Sequence, residues 1–422
     1  MTTARTVDPA ELLEAAAATL HASGAETERT EERAHQLAAA LGVRVRTTLG
    51  WSQSSLEITD ATATRERRFA AMPAAINMRR VVAIDRALDD LSADRSSPAQ
   101  AAAAIAAART IRPAPVLLFA LACAVGASGL AVILGAEHGT SIAIIAATAA
   151  GGAFLRRGIG RLGGSNFSQV FLAAILAGLG GALAAQLDVS SALRLAAVCP
   201  CMVLVPGPHL LNGMLDIAAM RLPLGLARLA FATITLIAIG AGLVIGLGLG
   251  GADLVVQADA RTIPLWLDAP VAGVVAICYG IFYSAPLRIL VWPFVVGGVV
   301  HGVHWLLTEN AHLGVPLSAG LSCLIVGVVL LPIGRRLSIP FSAIGFASVV
   351  ALIPGVLVFR ALAALAQLQG ATGATTTDQL VQAILTDTGT AVLTVAAMAL
   401  GFVIPAAVLG RLVRRPAGAP AR

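Results

Sequence analysis

The hydrophobic pattern of this chain repeats itself. Leu204-Val205-Pro206-Gly207 lies in the fourth long apolar stretch, and Leu352-Ile353-Pro354-Gly355 lies in the ninth. The offset of 148 residues that takes Pro206 to Pro354 also superposes the first four apolar stretches of the two halves. Because a unit of five spans is odd, the second copy must enter a membrane from the opposite side. The pattern therefore predicts a 5+5 inverted repeat, which is typical of secondary transporters.

The composition places the chain in a membrane. Hydrophobic residues make up 57% of it, charged residues 12%, and the mean hydropathy is +0.85, which excludes a soluble globular domain. Stretches of about 20 apolar residues cross a bilayer as helices, and their lack of alternation excludes a transmembrane barrel. We predict ten spans, at about 115–136, 140–155, 166–187, 191–215, 225–250, 268–285, 287–307, 313–334, 341–365 and 388–412.

The arginines predict the orientation. All 29 basic residues are arginine, and they concentrate in alternate loops, with only Arg194, Arg261 and Arg360 on the opposite side. The positive-inside rule then places both termini in the cytoplasm. The net charge of +6 reflects this topology, so we expect no nucleic-acid partner.

The N-terminal part predicts a small cytoplasmic α+β domain. It holds more than half of the acidic residues, and its pattern changes from helical spacing to alternation and back. The predicted elements are a helix capped by Asp8 and ending near Ala22, a helix at 25–41, strands at 43–49, 54–59 and 65–72, a helix at 77–91 and a helix opened by Ser97-Pro98. The predicted divisions are 1–112 for this domain, 113–250 for the first repeat, 251–267 for an outward linker, 268–413 for the second repeat and 414–422 for a cytoplasmic tail.

Three segments resemble the bacterial threonine/serine exporter family. They are Leu20 to Arg29, Val205-Pro206-Gly207 with Leu211 to Asp216, and Arg336 to Gly355. The resemblance implies a secondary exporter of small hydrophilic amino acids, chiefly threonine and serine, coupled to the proton gradient. Some relatives are linked to dicarboxylate export. The two boxes are unequal here, because Pro208 follows the first proline–glycine pair and Arg360 replaces Asn212.

The two proline–glycine pairs are the candidate substrate site. Proline removes an amide donor and clashes with the preceding turn, while glycine removes the side chain beside the break. Carbonyls and amides freed near the middle of the membrane could bind a zwitterion. We therefore assign Pro206, Gly207, Pro354 and Gly355 to the translocation path. The alternative is a packing kink tolerated by neighbouring helices.

Polar residues in the spans are further candidates, because ionisable groups are costly there. Asn212 and Arg360 occupy equivalent places and could bind substrate, although Arg360 could instead snorkel to the surface. Asp216 is our first choice for a proton-carrying carboxylate, with a salt bridge to Arg221 or an interfacial cap as the alternative. Tyr279 and Tyr283 could line the path or join helices by hydrogen bonds.

Two histidines offer a proton relay. His301 and His304 lie three residues apart and share a helical face. They have no carboxylate or thiolate partner nearby in the sequence, which argues against a metal site, and solvated interfacial histidines are the alternative. The segment from Asp378 to Leu385 predicts a short amphipathic helix at the membrane surface.

The favoured function is secondary export of amino acids, with protons, substrate and lipid as partners. A passive channel and export of dicarboxylates or other small metabolites are the alternatives. We expect no enzyme activity, catalytic residue, metal or cofactor, because the chain has no phosphate loop, nucleophile elbow or metal cluster. Its 42 glycines suit homo-oligomerisation and internal helix packing equally well.

Overall fold

The N-terminal segment folds as helices packed with a small antiparallel sheet. A computed structural model describes residues 8–189, 194–254, 262–337, 341–371 and 373–413. The three strands pair in the order β1-β2-β3. The elements are α1 (Pro9–Ala22), α2 (Thr27–Ala40), β1 (Arg44–Thr48), β2 (Gln53–Thr59), β3 (Thr64–Ala70), α3 (Met78–Ser92) and α4 (Pro98–Arg109).

The sequence predictions for this segment are confirmed at its helix starts. The Asp8 side chain accepts a hydrogen bond from Ala10 N at 3.0 Å, and Pro9 begins α1. Ser97 and Gln100 form the reciprocal capping box at the start of α4. Inside the segment, the buried Asp85 carboxylate binds Arg29 at 2.7 Å and Arg33 at 2.8 Å. This ion-pair cluster ties α2 to α3.

Long apolar helices follow the N-terminal segment. Among the described residues, nine helical segments are long and apolar enough to cross a membrane, and α8 with α9, bent by 54°, make a tenth if they are one span. The chain is therefore a multi-pass membrane protein. The helices are α5 (Val116–Ile133), α6 (Gly139–Arg161), α7 (Asn166–Gln186), α8 (Leu195–Met202), α9 (Gly207–Ala218), α10 (Leu222–Leu249), α11 (Leu265–Phe282), α12 (Val291–Trp305), α13 (Val315–Leu337), α14 (Phe341–Ser348), α15 (Gly355–Leu368) and α16 (Ala374–Val413).

Two helix boundaries differ from the prediction. The second span was predicted to stop at residue 155, but α6 continues to Arg161. The separate helix from Asp378 to Leu385 is wrong, because α16 is continuous from Ala374 to Val413. In both places a polar side chain interrupts the hydropathy of the sequence without interrupting the helix. The predicted tail at 414–422, and positions 255–261 of the predicted linker, lie outside the described residues.

The first helix of each half packs against the other in antiparallel direction. A Cβ atom added to Gly126 would lie 3.1 Å from Cys278 Cβ, and one added to Gly129 would lie 2.6 Å from Val275 Cγ2. The start of α5 meets the end of α11, where Ala114 N donates to Ser284 Oγ at 3.0 Å. The two helices therefore run in opposite directions along their whole contact.

Glycines let α7 and α10 approach backbone to backbone. A Cβ atom added to Gly178 would lie 2.5 Å from Leu243 O and 2.7 Å from Leu247 N. Small residues permit such close contact between membrane helices, where dispersion and packing replace the hydrophobic effect. The close contact between α7 and α10 thus depends on Gly178 having no Cβ atom.

Gly178→Ala should destabilise the bundle by about 1–3 kcal/mol, because the added methyl group forces two backbones apart. Thermal unfolding of the purified protein in detergent would show a lower Tm. Gly248→Ala is the matched control, since nothing lies within 4 Å of a Cβ atom added there. Equal Tm values for the two variants would contradict this account of the α7–α10 contact.

Candidate functional site

Each proline–glycine pair breaks a helix in the same way. Pro206 has φ −81° and ψ 57°, and Pro354 has φ −78° and ψ 55°. Across each proline the glycine amide donates to the carbonyl two residues earlier, from Gly207 to Val205 at 2.9 Å and from Gly355 to Ile353 at 2.7 Å. These are inverse γ-turns centred on proline. In each half the new helix begins at the glycine that closes this turn.

The two breaks pack against each other. A Cβ atom added to Gly207 would lie 2.6 Å from Ile353 Cδ1, and one added to Gly355 would lie 3.0 Å from Met202 Cγ. Each glycine therefore receives a side chain that precedes the break in the other half. The structure brings Pro206, Gly207, Pro354 and Gly355 into one cluster, while their role in transport stays a prediction.

Two tyrosines of α11 complete this cluster. Tyr279 OH donates a hydrogen bond of 2.9 Å to Met202 O at the end of α8, a carbonyl that also accepts from Val205 N at 3.2 Å. Tyr283 OH is buried and has no hydrogen-bond partner among the described residues. It lies 3.8 Å from the position of a Gly207 Cβ atom. A polar hydroxyl thus faces the break without a bond of its own.

Asp216 forms a buried ion pair, but not with the predicted partner. Its carboxylate lies 3.0 Å from Arg228 Nη1, and both side chains are almost fully shielded from solvent. Arg221, which the sequence offered as the alternative partner, instead binds Glu31 of α2 at 2.7 Å. Sequence reasoning missed Arg228 because it lies in α10, twelve positions later along the chain.

Asn212 lies one turn before Asp216 on α9. It is buried, and its Oδ1 atom has no hydrogen-bond partner in the described part of the chain. A small cavity separates it from the N-terminal segment. The cavity is lined by Gly24, Pro73, Ile76, Pro208, His209, Asn212 and Arg228.

Arg360 pairs with an acid that the sequence did not single out. Its Nε atom lies 3.1 Å from Asp387 on α16. Asp387 comes just before the span predicted to begin at residue 388, so its role as a partner inside the bundle was missed. The second half therefore also joins the helix after its break to the next helix by an Arg–Asp pair, with the two charges exchanged.

The histidine pair has a carboxylate partner. His301 Nδ1 lies 2.5 Å from Asp268 on α11, and both groups are buried. The His304 ring centroid is 6.0 Å from that of His301. The interpretation that these histidines lack a nearby carboxylate is therefore wrong. Among the described residues, no group of three or more His, Cys, Asp or Glu is placed to hold a metal ion.

The N-terminal segment is docked against this part of the bundle. Trp51, in the turn between β1 and β2, contacts Phe231 with ring centroids 5.2 Å apart, and Phe231 contacts His209 at 4.8 Å. His21 Nε2 lies 2.9 Å from Gly50 O and so fixes the turn that carries Trp51. One aromatic residue of the N-terminal segment is thereby inserted beside α9.

A second contact joins α3 to the end of α11. Met78 N donates to Tyr283 O at 3.0 Å, and Arg79 N donates to Ser284 O at 3.1 Å. The free amides at the start of one helix thus meet the free carbonyls just past the end of another, which is favourable for both helix dipoles. The N-terminal segment therefore contacts both halves of the bundle.

Two family models match the chain. Residues 11–250 match the model described as a threonine/serine exporter, and residues 268–408 match the model described as Threonine/Serine exporter, ThrE. No curated protein and no solved structure matches the chain. The first matched range ends just before the predicted linker, and the second begins just after it.

Asp216→Asn should cost about 3–5 kcal/mol of stability, because it leaves the buried Arg228 charge without a counterion. The double variant Asp216→Asn/Arg228→Gln should recover much of that loss. Thermal unfolding in detergent would measure both. Arg68→Gln is the control, because its pair with Glu66 is exposed to solvent and such pairs contribute little to stability. A double variant as unstable as the single one would contradict the pairing.

Acidification should loosen the N-terminal segment through His21. Burial and the nearby Arg228 charge lower the pKa of His21 from 6.5 to about 4, although the hydrogen bond to Gly50 O acts in the opposite direction. Between those values the unfolded chain binds the extra proton, so stability is full above pH 6.5 and falls by about 3 kcal/mol towards pH 4. His21→Gln should remove this part of the pH dependence of Tm, whereas exposed His35→Gln should keep it. Equal pH profiles for the two variants would refute the assignment.

Proposed function

The chain belongs to the threonine/serine exporter family, and from that membership we propose that it exports threonine and serine from the cytoplasm in exchange for protons. It is then a secondary active antiporter of a bacterial cytoplasmic membrane. The observation that carries the proposal is the contact between the two helix breaks, Gly207 on Ile353 and Gly355 on Met202. Broken helices that meet inside a bundle are how many secondary transporters form a substrate site.

The proposal includes an inverted repeat of five plus five spans. Antiparallel packing of α5 on α11 supports it, as do the matching γ-turns at Pro206 and Pro354. The proposed units are residues 113–250 and 268–413, with an outward linker at 251–267. Residues 1–112 then form a cytoplasmic domain, and residues 414–422 form a cytoplasmic tail.

The chemistry of the breaks suits a zwitterion. Helix ends that face each other at the breaks offer amides to a carboxylate and carbonyls to an ammonium group. Tyr283 OH adds a buried hydroxyl that has no bond within the described residues. A threonine or serine side-chain hydroxyl is a suitable partner for it, because burying an unbonded hydroxyl is unfavourable.

Proton coupling requires a group whose charge can change inside the bundle. The proposed carrier is Asp216, whose ion pair with Arg228 is broken when the carboxylate takes up a proton. The Asp268–His301 pair, with His304 beside it, is a second proton-binding group in α11 and α12. Asn212 and Arg360 extend the proposed path along α9 and α15.

Export from dipeptide-loaded cells tests the proposal. Cells expressing the chain should release threonine and serine faster than vector cells, and a protonophore should abolish the difference. Asp216→Asn/Arg228→Gln should be inserted but lack protonophore-sensitive export. Asp188→Asn is the control, since it removes an exposed carboxylate.

Each other outcome favours a stated alternative. Export that ignores the protonophore would indicate a passive channel. Wild-type release equal to that of vector cells, for protein shown to be in the membrane, would refute amino-acid export, and succinate-loaded cells would then test dicarboxylates. Normal coupled export by the double variant would exclude Asp216 as the proton carrier.

A further inference from the structure

Arg156 points into the bundle, although the sequence placed it in a loop. It lies in α6, five positions before the helix ends at Arg161. Its Nε and Nη1 atoms are shielded from solvent and have no hydrogen-bond partner in the described chain. Arg228 and Arg33, by contrast, lie within 3.0 Å of a carboxylate. Arg156 is therefore a partly buried cation, and two of its donor atoms are unused within the described chain.

Two aromatic rings fix the position of this guanidinium. Its central carbon lies 5.2 Å from the Phe282 ring centroid and 5.8 Å from that of Phe119. Contacts of this kind hold a cation in place without using its N–H groups. The fork of donors is thus presented in a defined orientation, as a carboxylate-binding arginine requires.

The donors belong to the lining of a cavity next to the first helix break. The lining residues come from α5, α6, α7 and the end of α8, and Arg156 is the one charged residue among them. They are Cys123, Thr148, Ala149, Gly152, Ala153, Arg156, Ala173, Pro200, Val203 and Leu204. Leu204 precedes Pro206 by two positions, so the cavity and the break share a wall.

The opposite wall has the complementary charge. Pro200 lies in the last turn of α8 and Val203 follows its last residue, and the C-terminal end of a helix carries partial negative charge from the helix dipole. An ammonium group is favoured there, and an anion is favoured at Arg156. The cavity thus presents a cation and a negative helix end to the two charges of an α-amino acid.

We propose that Arg156 binds the carboxylate group of the transported substrate. This inference rests on the proposed export function and adds to it the residue that recognises the charged group common to amino acids and dicarboxylates. The cavity is about 10 Å³, room for one water, so the described conformation is closed.

Transport into everted membrane vesicles tests the role of Arg156. Arg156→Gln should raise the half-saturation concentration for threonine at least about tenfold, as expected for the loss of a charge-assisted bond. Threoninamide, which lacks the carboxylate, should compete poorly with threonine in the wild type and nearly equally in Arg156→Gln. A purely structural arginine would lower the maximal rate without changing this discrimination.

Two further variants control for charge and folding. Arg161→Gln removes an exposed arginine from the same helix and should leave half-saturation unchanged. Arg156→Lys keeps the charge but loses the fork, so it should be inserted normally and bind threonine with intermediate affinity. Ligand-induced shifts of Tm for the purified full chain, with threonine, threoninamide and succinate as probes, provide a readout independent of transport.

The outcomes separate this inference from the proposed function. Threonine export with unchanged half-saturation and discrimination in Arg156→Gln would overturn the role of Arg156 and leave the exporter intact. Succinate binding that is lost in Arg156→Gln, together with no threonine transport by the wild type, would support Arg156 and overturn amino-acid export. The absence of saturable binding of all carboxylate probes to the wild type would overturn both.

Discussion

The structure depends on keeping two backbone breaks out of lipid. Hydrocarbon offers no partner to an unpaired amide or carbonyl, so a broken span is stable only where protein surrounds it. Proline removes one donor at each break, the γ-turn uses the following glycine amide, and Tyr279 binds Met202 O. The contact of Gly207 with Ile353, and of Gly355 with Met202, closes the remaining space. Because each break packs against residues of the other, movement of one broken span must displace the other.

The ion pairs show that the two halves share geometry more than residues. In the first half the helix after the break carries the acid, Asp216, and the following helix carries Arg228. In the second half the helix after the break carries Arg360, and the following helix carries the acid, Asp387. Either arrangement neutralises both charges, which is the requirement that a low-dielectric interior imposes. Aligning the halves by sequence sets Asn212 opposite Arg360 and hides this equivalence. A pair can exchange its charges without changing the packing that it supports.

Local patterns of the sequence were enough to predict the helices, the three strands and the two breaks, because hydropathy, capping residues and proline act on neighbouring positions. Partners across helices were not predictable in this way. Asp268 is the first residue of a predicted span, next to the outward linker, yet it pairs with His301 thirty-three positions away. From the sequence, Arg156 belongs to a basic loop, because hydropathy shows only where the apolar residues end. The helix α6 itself continues to Arg161. Its inward direction depends on Phe119 and Phe282, which come from other helices.

The N-terminal segment bridges the two halves of the bundle in the described conformation. It is bonded to the first half through Glu31 and Arg221 and to the second half through Met78 and Tyr283. Separation of the halves at this end must break both contacts and withdraw Trp51. Such hydrogen bonds and partly exposed ion pairs contribute only about 1 kcal/mol each, so the closure is reversible. In the proposed orientation this end faces the cytoplasm, so an exporter that loads from the cytoplasm must open it first. The small energy of each contact allows that opening, and their number on both halves makes it a concerted step.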